Sequence, residues 1–355
     1  MTDAALARAL LVWYRRHRRD LPWRRTRDPY AIWLSEVMLQ QTTVETVTPR
    51  FRPFLARFPT VEALASARRR DVLAEWSGLG YYARAKNLHR AARSLVGAGG
   101  FPRTVEGLRA LPGVGDYTAA AVASIAFGVP EPAVDGNVVR VLCRLHGLRL
   151  DPKSSATLAR VRALARPLVA SREPGDRNQA LMEFGALVCR PRAPRCDACP
   201  LRIRCRGLAT GAPERFPLAP ARKTATKLHL VAGVTRRRGR LLLVEDEYLV
   251  RGHLVVPIFP VGPGERAEAV LRRRWRGLTG RTAGTLTLAG ALRHSVLERR
   301  YRVDVFTLEE MPPPARRARP HRRFRLVRDR DLPGRAHGGL LLKVLGLIAR
   351  ATRGR

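Results

Sequence analysis

The first 206 residues place their hydrophobic positions at helical spacing. Ala4–Arg18, Tyr30–Val47 and Ala83–Ala98 each repeat apolar residues three and four positions apart, and Gly or Pro separates the repeats. The same pattern predicts further helices at Val61–Ala67, Arg69–Trp76, Val105–Ala110, Asp116–Phe127, Gly136–His146, Ala156–Ser171 and Arg177–Cys189. No alternating strand pattern occurs in this part, so we expect a mainly helical domain over residues 1–206.

The pattern changes after Cys205. Residues 207–226 are rich in Gly, Pro, Ala and basic side chains without periodicity, which is typical of a linker. Beyond them, two short apolar runs separated by the hairpin signal Arg236–Arg240 and one alternating run predict strands, and two longer runs predict helices. The strands are Leu228–Thr235, Leu241–Val244 and Tyr301–Leu308, and the helices are Ala267–Arg276 and Gly339–Ala349. Residues 227–355 are therefore expected to form an α+β domain.

The charge of the chain is extreme. Its 355 residues carry a formal net charge of +38, which favours a polyanionic partner because bound cations release the counterions of phosphates. Only five of the cations are lysines, and such arginine dominance also arises from GC-rich codon usage. No apolar run approaches the roughly 18 residues that span a bilayer, and the N-terminus lacks a signal peptide. We expect a cytoplasmic protein that does not enter membranes.

Leu111-Pro112-Gly113-Val114-Gly115 predicts a tight hairpin between two helices. Glycine lets the backbone turn sharply and approach a ligand, and the amides at the start of Asp116–Phe127 would form a phosphate site. Leu111, Gly113, Val114 and Gly115 are therefore candidates for contacts with a DNA backbone. Taken alone, the hairpin is equally an ordinary turn between helices.

Two carboxylates are candidates for chemistry. Asp135 precedes Gly136–His146, where it can be a structural N-cap or can stabilise the cation that develops when an N-glycosidic bond breaks. Glu36 lies on the apolar stripe of Ile32, Trp33 and Leu39, where burial would raise its pKa and make it a proton donor near neutral pH. The alternative is a glutamate at a helix edge with its carboxylate in solvent.

Four of the five cysteines lie within seventeen residues, at Cys189, Cys196, Cys199 and Cys205. Their spacing includes one Cys-x-x-Cys pair, whereas a structural zinc site usually has two, and four cysteine ligands suit an iron–sulfur cluster. Six arginines interleave with them and either contact phosphate or only solvate the loop. Cys143 lies on an apolar helix face and is expected to be buried.

Seven short motifs occur in order along residues 5–206. They are Leu21-Pro22-Trp23-Arg24, Asp28-Pro29-Tyr30, Ser35-Glu36-Val37-Met38-Leu39-Gln40-Gln41-Thr42, Gly78-Leu79-Gly80-Tyr81-Tyr82-Ala83-Arg84-Ala85, the hairpin, Asp135-Gly136-Asn137 and Met182-Glu183-Phe184-Gly185-Ala186. This combination resembles the adenine DNA glycosylases of the MutY family, which belong to the helix-hairpin-helix, endonuclease III-like superfamily.

The resemblance implies a role for each matching residue. Glu36 matches the catalytic acid, Asp135 the carboxylate that stabilises the sugar cation, and Tyr117 and Asn137 their supports. The adenine pocket would comprise Trp23, Arg24 and Glu183. The residues implied to contact the duplex beside the damaged pair are Gln41, Leu79 and Tyr81. The cysteine spacing matches the family's [4Fe–4S] loop.

Tyr117 occupies the position where lyase members of the superfamily carry lysine. An amine there attacks the sugar and forms a Schiff base, which a phenol cannot do. The resemblance therefore implies a monofunctional enzyme that releases the base and has little or no strand-cleaving activity. It would act as a monomer on double-stranded DNA with a mispaired or oxidised base, which it must flip out to reach the glycosidic carbon.

The second domain is expected, from its position in the family, to be a Nudix-like domain that recognises 8-oxoguanine. Gly264–Glu268 lacks the acidic cluster of a Nudix hydrolase, so hydrolysis is not expected. The family's Phe-Ser-His loop is replaced by Val296-Leu297-Glu298, so either His294 and Ser295 read the lesion or recognition of the lesion is altered. The basic run Arg316–Arg323 either follows phosphates or forms a solvated loop.

The leading interpretation is a glycosylase that excises adenine opposite 8-oxoguanine or guanine in base excision repair. One alternative is a glycosylase for another mispaired base, such as thymine opposite guanine. The other is a DNA-damage-binding protein without activity, which would need neither Glu36 nor Asp135.

Overall fold

A computed structural model describes residues 2–219, 225–249, 253–296, 298–309, 324–332 and 338–353. The chain divides into two compact units, one of Met1–Ser66 with Lys86–Ala221 and the other of Ala67–Ala85 with Arg222–Arg355. The second unit thus includes a short segment from within the predicted helical domain. The predicted boundaries at residues 206 and 227 stay predictions. The run Arg316–Arg323 and Leu297 lie outside the described residues.

The first unit is helical, as predicted. In chain order its helices are α1 Asp3–His17, α2 Pro29–Leu39, α3 Val44–Arg57 and α4 Val61–Ser66. After α5 (Arg69–Glu75), which belongs to the second unit, come α6 Ala83–Gly97, α7 Val105–Arg109, α8 Asp116–Phe127, α9 Gly136–His146, α10 Ser155–Val169, α11 Pro174–Leu187 and α12 Arg206–Ala209. The apolar faces of α1, α9, α10 and α11 share one core that includes Tyr14, Leu142 and Phe184.

One predicted helix is wrong. The segment Tyr30–Val47 forms two helices, α2 and α3, because the chain turns between them, where Gln41 adopts a φ of 56°. Thr43 is then the N-cap residue of α3, although its side chain makes no capping hydrogen bond. Gln41 is exposed in this turn.

The second unit is α+β, as predicted. Its strands are β1 Thr226–Val234, β2 Arg236–Arg237, β3 Arg240–Glu245, β4 Leu254–Val255, β5 Ile258–Pro260, β6 Leu286–Val296, β7 Arg299–Leu308 and β8 Phe324–Val327. Its long helices are α13 Ala267–Thr279 and α14 Gly339–Arg353. The hydrophobic pattern predicts β1, β3 and β7 but not β6, whose Thr-Leu-Ala-Gly stretch lacks regular alternation.

Two sheets organise this unit. In one the order is β5-β1-β7-β6, with β1 and β7 parallel and the other pairs antiparallel. In the other, β3 pairs with β2, β4 and β8. Two apolar clusters hold the sheets and helices together, one around Val303 and Val344 and one around Val231 and Trp275.

Candidate active site

A cavity of about 690 Å³ opens in the first unit, where α2, α8, α9 and α11 meet. Eight of the residues singled out in the sequence line it: Trp23, Arg24, Glu36, Gln41, Tyr117, Asp135, Asn137 and Glu183. They come from five separate stretches of the chain. The fold therefore brings the predicted acid, the predicted anion and the predicted base pocket to one place.

Glu36 is buried in the cavity wall, with 6% of its surface exposed. Burial disfavours its charged form and, with the nearby negative charge of Asp135, raises the pKa of Glu36 to about 7. The Tyr117 hydroxyl donates a hydrogen bond to Glu36 Oε2 at 2.8 Å, which opposes that shift. The expectation of a raised pKa is met, and the alternative of a carboxylate in solvent is excluded.

Asp135 both caps a helix and faces the cavity. Its Oδ1 accepts a hydrogen bond from the Val138 amide at 2.8 Å, so it is the N-cap of α9. Its Oδ2 accepts one from Asn137 Nδ2 at 2.6 Å. Burial raises the pKa of Asp135, while these donors favour the carboxylate. The two interpretations of Asp135 are therefore compatible, since one carboxylate can cap and face a substrate.

Arg140 and Gly185 contact Asn137, the residue that bonds Asp135. Arg140 donates to Asn137 Oδ1 at 2.7 Å, to the Gly185 carbonyl at 2.8 Å and to the Cys189 carbonyl at 2.7 Å. Close approach of α11 to α9 requires Gly185, because a Cβ there would lie 2.6 Å from Asn137 Cβ. The pattern of apolar positions gives no sign of Arg140, which is one arginine among many.

Glu183 is an anion fixed by two arginines. Arg24 donates to both of its oxygens at 2.8 Å, and Arg19 donates through its backbone amide and its guanidinium. Although burial opposes ionisation, these hydrogen bonds lower the pKa of Glu183 to about 2. Arg19 also lines the cavity, and sequence reasoning missed it because the run before Asp20 holds several arginines. Met182, which the sequence motifs include without a role, lines the cavity too, with its Sδ 3.1 Å from the Tyr117 hydroxyl.

Gln41 and Tyr81 share an uncommon backbone. Their φ values are 56° and 45°, in the left-handed region that is costly for residues with side chains, and both side chains are exposed. Leu79 and Tyr81 belong to the segment that groups with the second unit. There the Arg84 guanidinium donates to the Leu79 carbonyl at 2.8 Å and lies over the Tyr81 ring.

His294 and Ser295 are neighbours on β6 and point to opposite faces of the sheet. Ser295 is exposed, whereas His294 Nδ1 is buried without a hydrogen-bond partner in the described ranges. Burial lowers the pKa of His294. The two side chains therefore cannot contact one base together from their places in the strand.

The hairpin between α7 and α8 has the predicted geometry. Gly113 has a φ of 80°, and a Cβ there would lie 2.6 Å from Asn87 Cβ. Val114 donates its amide to the Leu111 carbonyl at 3.1 Å and buries its side chain, so only backbone groups of Val114 can contact a ligand. Gly115 is the N-cap of α8 and provides no side chain to bond the first amides of the helix.

The four clustered cysteines line one small cavity, together with Arg144. None of them forms a disulfide with a residue that the structure describes, and Cys143 is buried in the core as expected. Arg144 donates to Cys189 Sγ at 3.5 Å and to the Arg190 carbonyl at 2.7 Å, which orders the loop. In the part of the chain that the structure describes, no three metal-ligating side chains converge on a single ion. Four cysteine sulfurs around one cavity are a donor set that cysteine-ligated metal centres use.

Comparison with known proteins agrees with this geometry. Residues 34–167 match the HhH-GPD superfamily base excision DNA repair protein model. The adenine DNA glycosylase of Mycolicibacterium smegmatis is 40% identical over 292 residues, which are 79% of this chain and 95% of that protein. The chain belongs to the adenine DNA glycosylase family.

Other relatives match a little over half of the chain. The human adenine DNA glycosylase is 48% identical over 209 residues, 56% of this chain, and the chain spans 38% of the human protein's length. A solved structure of a thermostable thymine-DNA glycosylase is 32% identical, with a TM-score of 0.53 over 57% of this chain and 95% of that one.

None of the helices in the described ranges has the length and apolarity to cross a membrane.

Proposed function

We propose that this chain is a monofunctional DNA glycosylase that excises adenine paired with 8-oxoguanine or guanine in double-stranded DNA. One observation carries the proposal: the buried Glu36 and the half-buried Asp135, which accepts hydrogen bonds from Val138 and Asn137, line one cavity. Membership of the adenine DNA glycosylase family supports adenine as the base. The runner-up, thymine opposite guanine, is a distinct outcome of the assay below.

Glu36 acts as the general acid. With a pKa of about 7, about half of the Glu36 carboxyl groups hold a proton at neutral pH, and because Oε2 accepts from Tyr117, we assign that proton to Oε1. Transfer of this proton to the adenine ring turns the base into a better leaving group. Glu36 then assists the water that attacks the sugar.

Asp135 stabilises the sugar. Departure of the base leaves positive charge on the sugar ring, and a carboxylate held in place by Val138 and Asn137 lowers the energy of that charge. Trp23 and the ion-paired Arg24 and Glu183 form the walls that receive the flipped adenine. Among the residues that line this cavity none is a lysine, so no amine is in place to form a Schiff base.

Cys189, Cys196, Cys199 and Cys205 hold a [4Fe–4S] cluster in this proposal. When bound, such a cluster crosslinks the loop and supplies a one-electron redox centre. Arg144 and Arg140 anchor the loop carbonyls of Arg190 and Cys189 to α9, which also carries Asn137. Loop order and the position of the sugar-facing carboxylate are therefore linked through one helix.

Base release from duplexes carrying A:8-oxoG, A:G, A:C or T:G tests the proposal. We expect adenine release from the first two, and the Glu36→Gln variant should lose about 100-fold or more in single-turnover rate while it still binds DNA. The Glu62→Gln variant carries the same change on the exposed face of α4 and should keep the single-turnover rate of the unmodified protein. Release of no adenine, retained turnover without Glu36, or abundant covalent product after borohydride trapping would each refute it.

A further inference from the structure

An exposed aromatic side chain lies in the turn just before α6. Tyr81 leaves 44% of its surface in solvent, whereas the aromatic residues beside it, Tyr82 and Trp76, are buried. Its φ of 45° lies in the left-handed region, which costs free energy for a residue with a side chain. A ring that stays in solvent offsets little of this cost by packing. Such strain persists where a side chain has a function.

Arg84, in the first turn of α6, holds this turn in its conformation. Its Nη2 donates to the Leu79 carbonyl at 2.8 Å and to the Gly80 carbonyl at 3.3 Å. The same guanidinium lies 5.5 Å from the centre of the Tyr81 ring and 5.3 Å from that of Trp76. One cation therefore fixes both the backbone before Tyr81 and the face of its ring.

The position of this cation is costly for the fold. Arg84 is 8% exposed, and burial disfavours its charged form enough to lower its pKa to about 10. Carbonyl oxygens and ring faces stabilise the charge, but a hydrophobic side chain of similar size would pack there without losing hydration. The planar guanidinium is suited to both contacts, because it donates along its plane and stacks on aromatic rings. These contacts are therefore better explained by what they do to Tyr81 than by stability.

We propose that Arg84 is a positioning residue, which holds the Tyr81 ring ready to enter the base stack of a bound duplex beside the mispaired adenine. An aromatic ring stacks on any base, and side chains inserted between base steps open the duplex. The stack must open here, because the glycosidic bond is reached only in a flipped nucleotide. A ring that Arg84 fixes in advance pays less ordering entropy on binding. This inference rests on the proposed function, since it takes duplex DNA with a mispaired adenine as the ligand.

Equilibrium binding to labelled duplexes tests this role without turnover, in the full chain that carries Glu36→Gln. Arg84→Lys keeps the positive charge and loses the planar group, whereas Arg84→Met loses both. Tyr81→Ala removes the ring. Arg57→Met is the matched control, because it removes a cation that lies 5.6 Å from the centre of the Phe58 ring in the first unit. Each variant is measured with a duplex that contains A:8-oxoG and with a fully paired duplex.

We expect both Arg84 variants to bind the mispaired duplex about 10-fold more weakly, the size of one lost stacking contact. The fully paired duplex should lose much less affinity, because its base stack is harder to open. In the Tyr81→Ala background neither Arg84 variant should cause a further loss, because Arg84 acts through that ring. Arg57→Met should keep the affinity of the unmodified protein for both duplexes.

Three results would overturn the assignment. Additive losses in the Tyr81→Ala background would mean that Arg84 does not act through Tyr81. Full affinity in Arg84→Lys would mean that the charge alone suffices, as it does for a phosphate contact. Equal losses for the two duplexes would mean that the substitution damages the fold in general. Thermal unfolding checks the fold of every variant, and Arg84→Lys carries the same comparison if Arg84→Met does not fold.

Failure of this inference differs from failure of the proposed function. The binding measurements need no base release. If the protein without substitutions releases no adenine, the proposed function fails, and the comparison of Arg84 with Tyr81 still decides whether Arg84 positions the ring. If adenine is released and the two losses are additive, only the role of Arg84 is refuted.

Discussion

The pKa of Glu36 sets the pH range of the proposed reaction. Burial raises this pKa to about 7, although the hydrogen bond from Tyr117 opposes the rise. Base release should therefore decline as the pH rises through about 7, where the acid form is lost. Tyr117→Phe removes the opposing hydrogen bond, so the pKa of Glu36 rises further and the decline should move to higher pH.

Single-turnover rates across the pH range measure this shift, independently of any loss of rate. Tyr30→Phe is the matched control, because Tyr30 donates its hydroxyl to the Phe58 carbonyl away from the cavity. It should leave the midpoint unchanged. A midpoint that stays in place or moves to lower pH in Tyr117→Phe would contradict the assigned hydrogen bond.

At the scale of elements, the conformation of the hairpin before α8 depends more on Gly113 than on Gly115. Gly113 combines a φ of 80° with contact to Asn87, so Gly113→Ala should cost about 1–3 kcal/mol and weaken duplex binding. Gly115 has an ordinary φ and open space around its Cβ position, so Gly115→Ala should fold normally. Chemical denaturation and duplex affinity of both variants decide the point, and equal effects would argue against it.

The proposed cluster ligands in the cysteine loop can be tested, with Cys143 as the control cysteine. Cys196→Ser removes a proposed cluster ligand and should lower the iron and acid-labile sulfide content of the purified protein. Cys143→Ala changes a cysteine of the core, remote from the loop in sequence, and should leave both contents unchanged. Full iron content in Cys196→Ser would remove Cys196 from the ligand set.

The sequence predicts the parts of this architecture that depend on local chemistry. Asp135 as an N-cap, the glycine hairpin and the buried stripe around Glu36 follow from spacing along single elements. The break at Gln41 does not, because the apolar pattern of Tyr30–Val47 continues through the turn between the two helices.

Contacts between residues that lie far apart in the chain cannot be predicted from the sequence pattern either. The carboxylate of Glu183 meets Arg19 and Arg24 across about 160 residues of chain, and nothing local marks Arg19 among its neighbours. The exposed cations of β6 and β7 become neighbours only through strand register. Periodicity locates such residues on a face but does not say which of them meet.

At the scale of the whole molecule, the net charge of +38 predicts two salt effects of opposite sign. Self-repulsion destabilises the folded chain, and salt screens it, so the melting temperature should rise with ionic strength. Duplex affinity should fall, by about 10³-fold or more between roughly 50 and 200 mM salt if six or more phosphates are contacted. Both are measured on one preparation, by thermal unfolding and by anisotropy.

A fully paired duplex serves as the control. The slope of its log affinity against log salt should equal that of a mispaired duplex, because phosphate contacts carry no sequence information. A melting temperature that falls over the same range would show that the ion pairs of this protein outweigh its self-repulsion.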